Sequence, residues 1–204
     1  MMKRSTLTRA GGIAFGALLL ASAGTAVATA DEIDDGTVDI NVEITDRYPS
    51  GVLALSVAAN DTALEEVDSG DPLVREFTGV LPTVTVTDTR STVPDSPWFV
   101  LGTASAFVSG DDSISADHLG WSPALAADYG TAIEVGGDIE GVLDDEDSEG
   151  LAYADGELLY LNTDQVATYD QGSWSANAAL NLKVAAENAA SGSYTSVLTL
   201  SLFE

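Results

Sequence analysis

Cysteine is absent from the 204 residues, histidine occurs once, and lysine and arginine together number seven against 33 acidic residues. Each scarcity excludes something. Without thiols there is no disulfide, so the apolar core alone must hold the fold. There is no thiolate nucleophile, and a zinc site, which needs several Cys or His ligands at set spacings, cannot be assembled. Nucleophilic catalysis needs a base beside the nucleophile, and only His118 is on offer. It stands two residues before Gly120-Trp121 and reads as a partly exposed residue at a strand end. Lys183, the only lysine after residue 30, falls on the polar face of an alternating strand, which gives a Ser-Lys mechanism no support.

Long hydrophobic runs are scarce too, and the one that exists is at the N-terminus. Lys3, Arg4 and Arg9 precede an uncharged stretch from Ala10 to Ala30, with Ile13, Phe15 and Leu18 to Leu20 at its centre and Ala28-Thr29-Ala30 at its end. This is the layout of a secretory signal peptide over residues 1–30, with cleavage before Asp31 as first choice and after Ala28 as second. No later segment has the apolar length of a membrane span. The mature chain, residues 31–204, is therefore expected outside the membrane, as a single domain.

Processing would leave four basic residues, Arg47, Arg75, Arg90 and Lys183, against 33 acidic ones, a net charge of −29. Four scattered cations make no patch for a phosphate polymer, so nucleic acid is not an expected partner. The same charge repels anionic wall polymers and lipid headgroups unless divalent cations or neutral sugars mediate contact, and it keeps an exported protein dispersed.

Period-two alternation dominates what remains, the signal of half-buried strands. In Val38-Asp39-Ile40-Asn41-Val42-Glu43-Ile44 every second residue is aliphatic, and Trp174, Ala176, Ala178, Leu180, Leu182 and Val184 line one face of a later strand. A last strand sets Tyr194, Leu198, Leu200 and Leu202 on one face. Further strands are expected over Val52 to Ala58, Gly79 to Thr87, Trp98 to Val108, Ala132 to Val135 and Glu157 to Leu161. Turn signals separate them at Tyr48-Pro49-Ser50-Gly51, Ser69-Gly70-Asp71-Pro72, Gly110-Asp111-Asp112 and Gly136-Gly137-Asp138. Helical periodicity is weak, with a turn or two at most in Asn60 to Val67 and Ala124 to Asp128. Strands with one apolar face bury it against a second sheet, so the fold class is all-β, an antiparallel, Greek-key-like β-sandwich, with a closed barrel as the alternative.

Carboxylates are the chemistry in surplus. A glycosidase needs an acid and a base in environments that separate their pKa values, and no pair among the 33 is singled out by pattern. Calcium suits clustered carboxylate oxygens, and the run Asp144, Asp145, Glu146, Asp147, Glu149 offers Asp144, Asp145 and Asp147 as candidate ligands, with Asp111-Asp112 beside them. The run lacks the spacing of an EF-hand and reads as a charged loop, with no cofactor required. Three tryptophans remain. Trp174 heads an apolar face and belongs to the core. Trp98 and Trp121 stand at strand ends, where an indole either packs or serves as a sugar-stacking platform, and they are the candidate binding residues.

The block from Thr83 to Pro123 carries a resemblance. Val86-Thr87-Asp88-Thr89-Arg90 leads through a short turn into Trp98-Phe99-Val100, and the chain closes on Gly192-Ser193-Tyr194-Thr195-Ser196-Val197-Leu198-Thr199-Leu200. From roughly Phe77 to the C-terminus this resembles the WxL-domain surface proteins of bacteria. It departs from them in having Val100 where the family has leucine and no tryptophan in Leu198 to Leu202. The resemblance implies an exported, all-β, noncatalytic protein held noncovalently on the cell surface, with peptidoglycan or another wall component as partner. A sortase-type linkage is not expected, since Leu81-Pro82-Thr83-Val84-Thr85 has valine where threonine is needed and lies mid-chain. The competing readings are a self-assembling subunit, pilin-like or layer-forming, that pairs strand edges with itself, and a carbohydrate-active enzyme using two carboxylates.

Overall fold

The structure is a computed structural model that describes residues 51–90, 97–168 and 172–204. By compactness the chain divides into Met1–Ile44 and Thr45–Glu204, and the second unit is the one described. The expected signal peptide (1–30), the alternating segment 38–44, most of the first turn (48–50) and the link 93–96 lie outside the described residues.

Eleven strands run through that unit: β1 (Leu53–Val57), β2 (Glu65–Val67), β3 (Val74–Asp88), β4 (Phe99–Ala104), β5 (Phe107–Ser109), β6 (Asp112–Ile114), β7 (Leu119–Leu125), β8 (Ile133–Val135), β9 (Glu157–Asn162), β10 (Ser173–Ala185) and β11 (Leu198–Phe203). One helical turn, α1 (Gln165–Thr168), and two 3-10 turns (Ala116–His118 and Gly150–Ala152) accompany them. The first sheet has the order β1-β3-β10-β7, with β2 also on β3, and the second has the order β11-β4-β9-β8. Every pairing is antiparallel. Strands β5 and β6 form a separate hairpin whose turn begins at Gly110, at a φ of +61° that glycine adopts without strain. The chain is all-β and sandwich-like, and its neighbours in each sheet are mostly distant in sequence.

The alternation in β10 explains why this strand is central. Trp174, Ala176, Ala178, Leu180, Leu182 and Val184 are all buried, while the opposite face is half-buried or exposed. Both edges of the strand are paired, Trp174 with Val86 of β3 and Leu180 with Trp121 of β7. The second sheet supplies Val100, Leu159, Tyr160 and Ile133 to the same core. Two contacts tie the sheets together. The Tyr160 hydroxyl on β9 donates toward the carbonyls of Val84 (3.3 Å) and Trp174 (3.2 Å) in the other sheet. The Trp121 ring lies so close to β4 that a Cβ on Gly102 would stand 2.6 Å from it, so glycine is needed there for space.

Several sequence expectations are corrected. The segment Asn60 to Val67 makes no helical turn, because Glu65, Glu66 and Val67 are drawn into pairing with Thr78, Phe77 and Glu76 of β3. Ala124 and Leu125 likewise finish β7 opposite Asn177 and Ala176. The expected strand from Trp98 to Val108 breaks after Ala104: the Ser105 backbone and hydroxyl bond to residues 196–197, and β5 turns aside to pair with β6. Residues 192–197 are outside β11, touching the fold through the Val108–Thr195 bridge, although Tyr194 packs with Leu198, Leu200 and Leu202 on the core as expected. The helical turn α1 went unforeseen. Its signal is Asp164, whose carboxylate accepts from the amides of Val166 and Ala167, as a helix-capping residue does.

Candidate functional site

The end of β3, the start of β4 and the end of β11 meet at one end of the sandwich, whereas residues 192–197 lie toward the other end, with Thr195 bridged to Val108. β3 ends at Asp88, and Arg90 folds back on it: Asp88 Oδ1 accepts from the Arg90 amide (3.0 Å) and from its Nε (3.0 Å), and Oδ2 accepts from Nη2 (2.8 Å). The remaining guanidinium nitrogen, Nη1, reaches the carboxylate of Glu204, one residue beyond β11. Burial opposes the Asp88 charge, but the hydrogen bonds from the Arg90 side chain and backbone, with its positive charge, outweigh it and hold the carboxyl below the ordinary range. The fork geometry is the one in which an Arg–carboxylate pair is strongest. Trp98 then enters β4, whose Val100 pairs with Leu202 of β11 and whose Phe99 ring stacks on Phe203 at 5.3 Å. Residues 88–90, 98–100 and 202–204, separated in sequence, are thus neighbours in space.

Both candidate binding tryptophans are core residues in the structure. Trp98 is 0 % exposed, with its ring edge-on to Tyr160 at 5.3 Å and tilted against Trp174 at 5.6 Å. Trp121 is 2 % exposed and lies against Gly102. The Nε1 atoms of both are buried with no hydrogen-bond partner among the described residues. Neither indole offers a face to a sugar ring, so both act here by packing, and Trp174 at 1 % exposure joins them.

A shallow groove of about 440 Å³ lies elsewhere, between the 138–140 turn, the acidic loop and the start of β9. Asp138, Glu140, Asp145, Asp147, Glu149 and Glu157 line it, with Tyr153 and no basic residue. Burial pushes the Glu157 carboxyl up, and the charge of Glu149 adds to the shift. The calcium candidates do not gather there as a set. Asp144 is bound by Lys183 Nζ at 2.7 Å, while Asp145 Oδ1 accepts from the Asp147 amide at 3.1 Å. Among the described residues no group of three or more His, Asp or Glu is placed to hold a metal ion. Asp144 instead anchors the acidic loop to β10, a link invisible in the sequence because the partners are 39 residues apart.

His118 Nδ1 lies 2.7 Å from the Lys183 carbonyl, a position that ties the 3-10 turn to β10. The other described cations are paired as well: Arg75 with Glu66 at 2.8 Å and Arg90 with Asp88. With Lys183 on Asp144, no free basic patch exists among the described residues, and none of their helices is long and apolar enough to cross a membrane.

Compared with protein-family models, with curated proteins and with solved structures, the chain finds no match.

Proposed function

We propose that this chain is an exported, noncatalytic surface protein of WxL-like type that attaches noncovalently to the bacterial cell wall. The observation that carries the reading is the convergence at one end of the sandwich. The Asp88–Arg90 fork, the Trp98-Phe99-Val100 entry to β4 and the end of β11 are separate in sequence and joined in space. That proximity is the support for the reading. The export half of the reading rests on the layout of residues 1–30.

The noncatalytic half rests on chemistry. The single histidine is committed to a backbone carbonyl, and the lysine after residue 30 to a carboxylate. A mature chain of charge −29 meets an anionic polymer only if the repulsion is screened or bridged, so divalent cations govern attachment in this reading. Fractionating the producing cells tests export: intact-mass spectrometry should find a protein starting at Asp31 in the wall fraction. A chain retaining Met1 in the membrane fraction would overturn the reading.

A further inference from the structure

Strand β11 is the outer strand of its sheet, and among the described residues nothing pairs with its far side. Outer strands β7 and β8 are guarded. β7 carries Pro123, which has no amide hydrogen to offer, and its Trp121 is bridged to Ile139. β8 and β2 are three residues long, and β1, Leu-Ala-Leu-Ser-Val, is uncharged like β11 but one residue shorter. β11 has none of these protections. It reads Leu-Thr-Leu-Ser-Leu-Phe, without proline, charge or a bulge against β4. Natural proteins guard such edges because a row of unpaired amides and carbonyls is a template for another strand.

The charge distribution selects the occupant. In a chain with 33 acidic residues, two copies repel one another over most of their surface, and an uncharged strand is where they approach at least cost. The one carboxylate at its end, Glu204, is held by Arg90. Apolar surface flanks the edge, with Val197 at 67 % and Phe203 at 45 % exposure, the latter stacked on Phe99.

We propose that the free edge of β11 pairs with β11 of a second copy, antiparallel about a twofold axis, joining two four-stranded sheets into one of eight strands. The contact is isologous and closes at the dimer, since the same edge of each copy is used up by the other. Antiparallel self-pairing sets residues of the same face opposite each other, so Thr199 and Ser201 of one copy meet Ser201 and Thr199 of the other. Because the surrounding surfaces repel, the dimer tightens as salt screens them. This inference is independent of wall binding.

Sedimentation velocity across the micromolar range, with hydrogen exchange followed on the β11 amides, tests it on the purified protein. The expected result is a dimer that dissociates on dilution, with protection of the β11 amides rising in step with the dimer fraction. The Thr199→Lys/Ser201→Lys double variant places like charges opposite each other and should weaken association about tenfold or more, with the thermal melt of the monomer preserved. A protein monomeric at every concentration overturns the proposal, and protected β11 amides in that monomer would show that the chain covers its own edge. A dimer indifferent to the lysine pair overturns it too, because the interface then lies elsewhere.

Discussion

Replacing Trp98 by alanine separates a core residue from a ligand platform more sharply than any other single change. The ring is wholly buried and touches Tyr160 edge-on and Trp174 at a tilt. Truncating a buried Trp to Ala costs about 3 to 5 kcal/mol, because the transfer energy is lost and a cavity remains. The upper half of that range applies here. Tyr160 is held across the sheets by its hydroxyl and Trp174 sits in β10, paired on both edges, so the walls of the cavity have little freedom to collapse. A domain of ordinary stability has about 5 to 15 kcal/mol in total, so the variant loses a large share of it. With a urea dependence of about 2 kcal/mol per molar, the midpoint falls by about 2 M. Circular dichroism and the fluorescence of the two remaining tryptophans report it, and Trp98→Phe, which keeps a ring in place, should lose much less. A Trp98→Ala midpoint within error of the wild type, in a folded protein, would refute the reasoning.

Three more outcomes follow from the same packing. Gly102→Val drives a side chain into the Trp121 ring and should cost about 1 to 3 kcal/mol in the same urea assay. Glu157 has a folded pKa raised above its ordinary 4.5, so its charge is disfavoured in the fold; the stability it contributes is present below that value and is lost as pH rises through the folded pKa. Glu157→Gln should flatten that step and leave the variant more stable than wild type at neutral pH, as urea midpoints from acid to neutral pH would show. Ending the chain at Gly192 removes β11, exposes β4 as a new edge and uncovers the Leu198, Leu200 and Leu202 contacts, so the truncated protein should aggregate in size-exclusion chromatography instead of eluting as a folded species.

Much of the fold was legible because alternation and burial express the same physics. The face of β10 was read residue by residue from Trp174 to Val184, and all six positions are buried. Strands whose pattern is broken by turn-formers were harder. β7 contains Gly120 and Pro123, which argue against a strand locally, yet β10 recruits it at every position from Leu119 to Leu125. β2 is similar: its two glutamates carry no strand signal, and the pairing partner decides. For the site, the Asp88–Arg90 pairing was foreseeable because its partners are two residues apart. The reach of Arg90 to Glu204 and of Lys183 to Asp144 was not, since long-range ion pairs leave no periodicity behind. The sequence also left Trp98 and Trp121 open between platform and core, because a strand-end position does not reveal what the opposite sheet brings against it.

The most direct test of wall attachment is co-sedimentation of purified residues 31–204 with isolated bacterial sacculi in calcium or magnesium and again in chelator. The account predicts that the protein pellets with the sacculi when the cation is present, is released by the chelator and pellets again when the cation is restored. Protein that remains in the supernatant under every condition would contradict it.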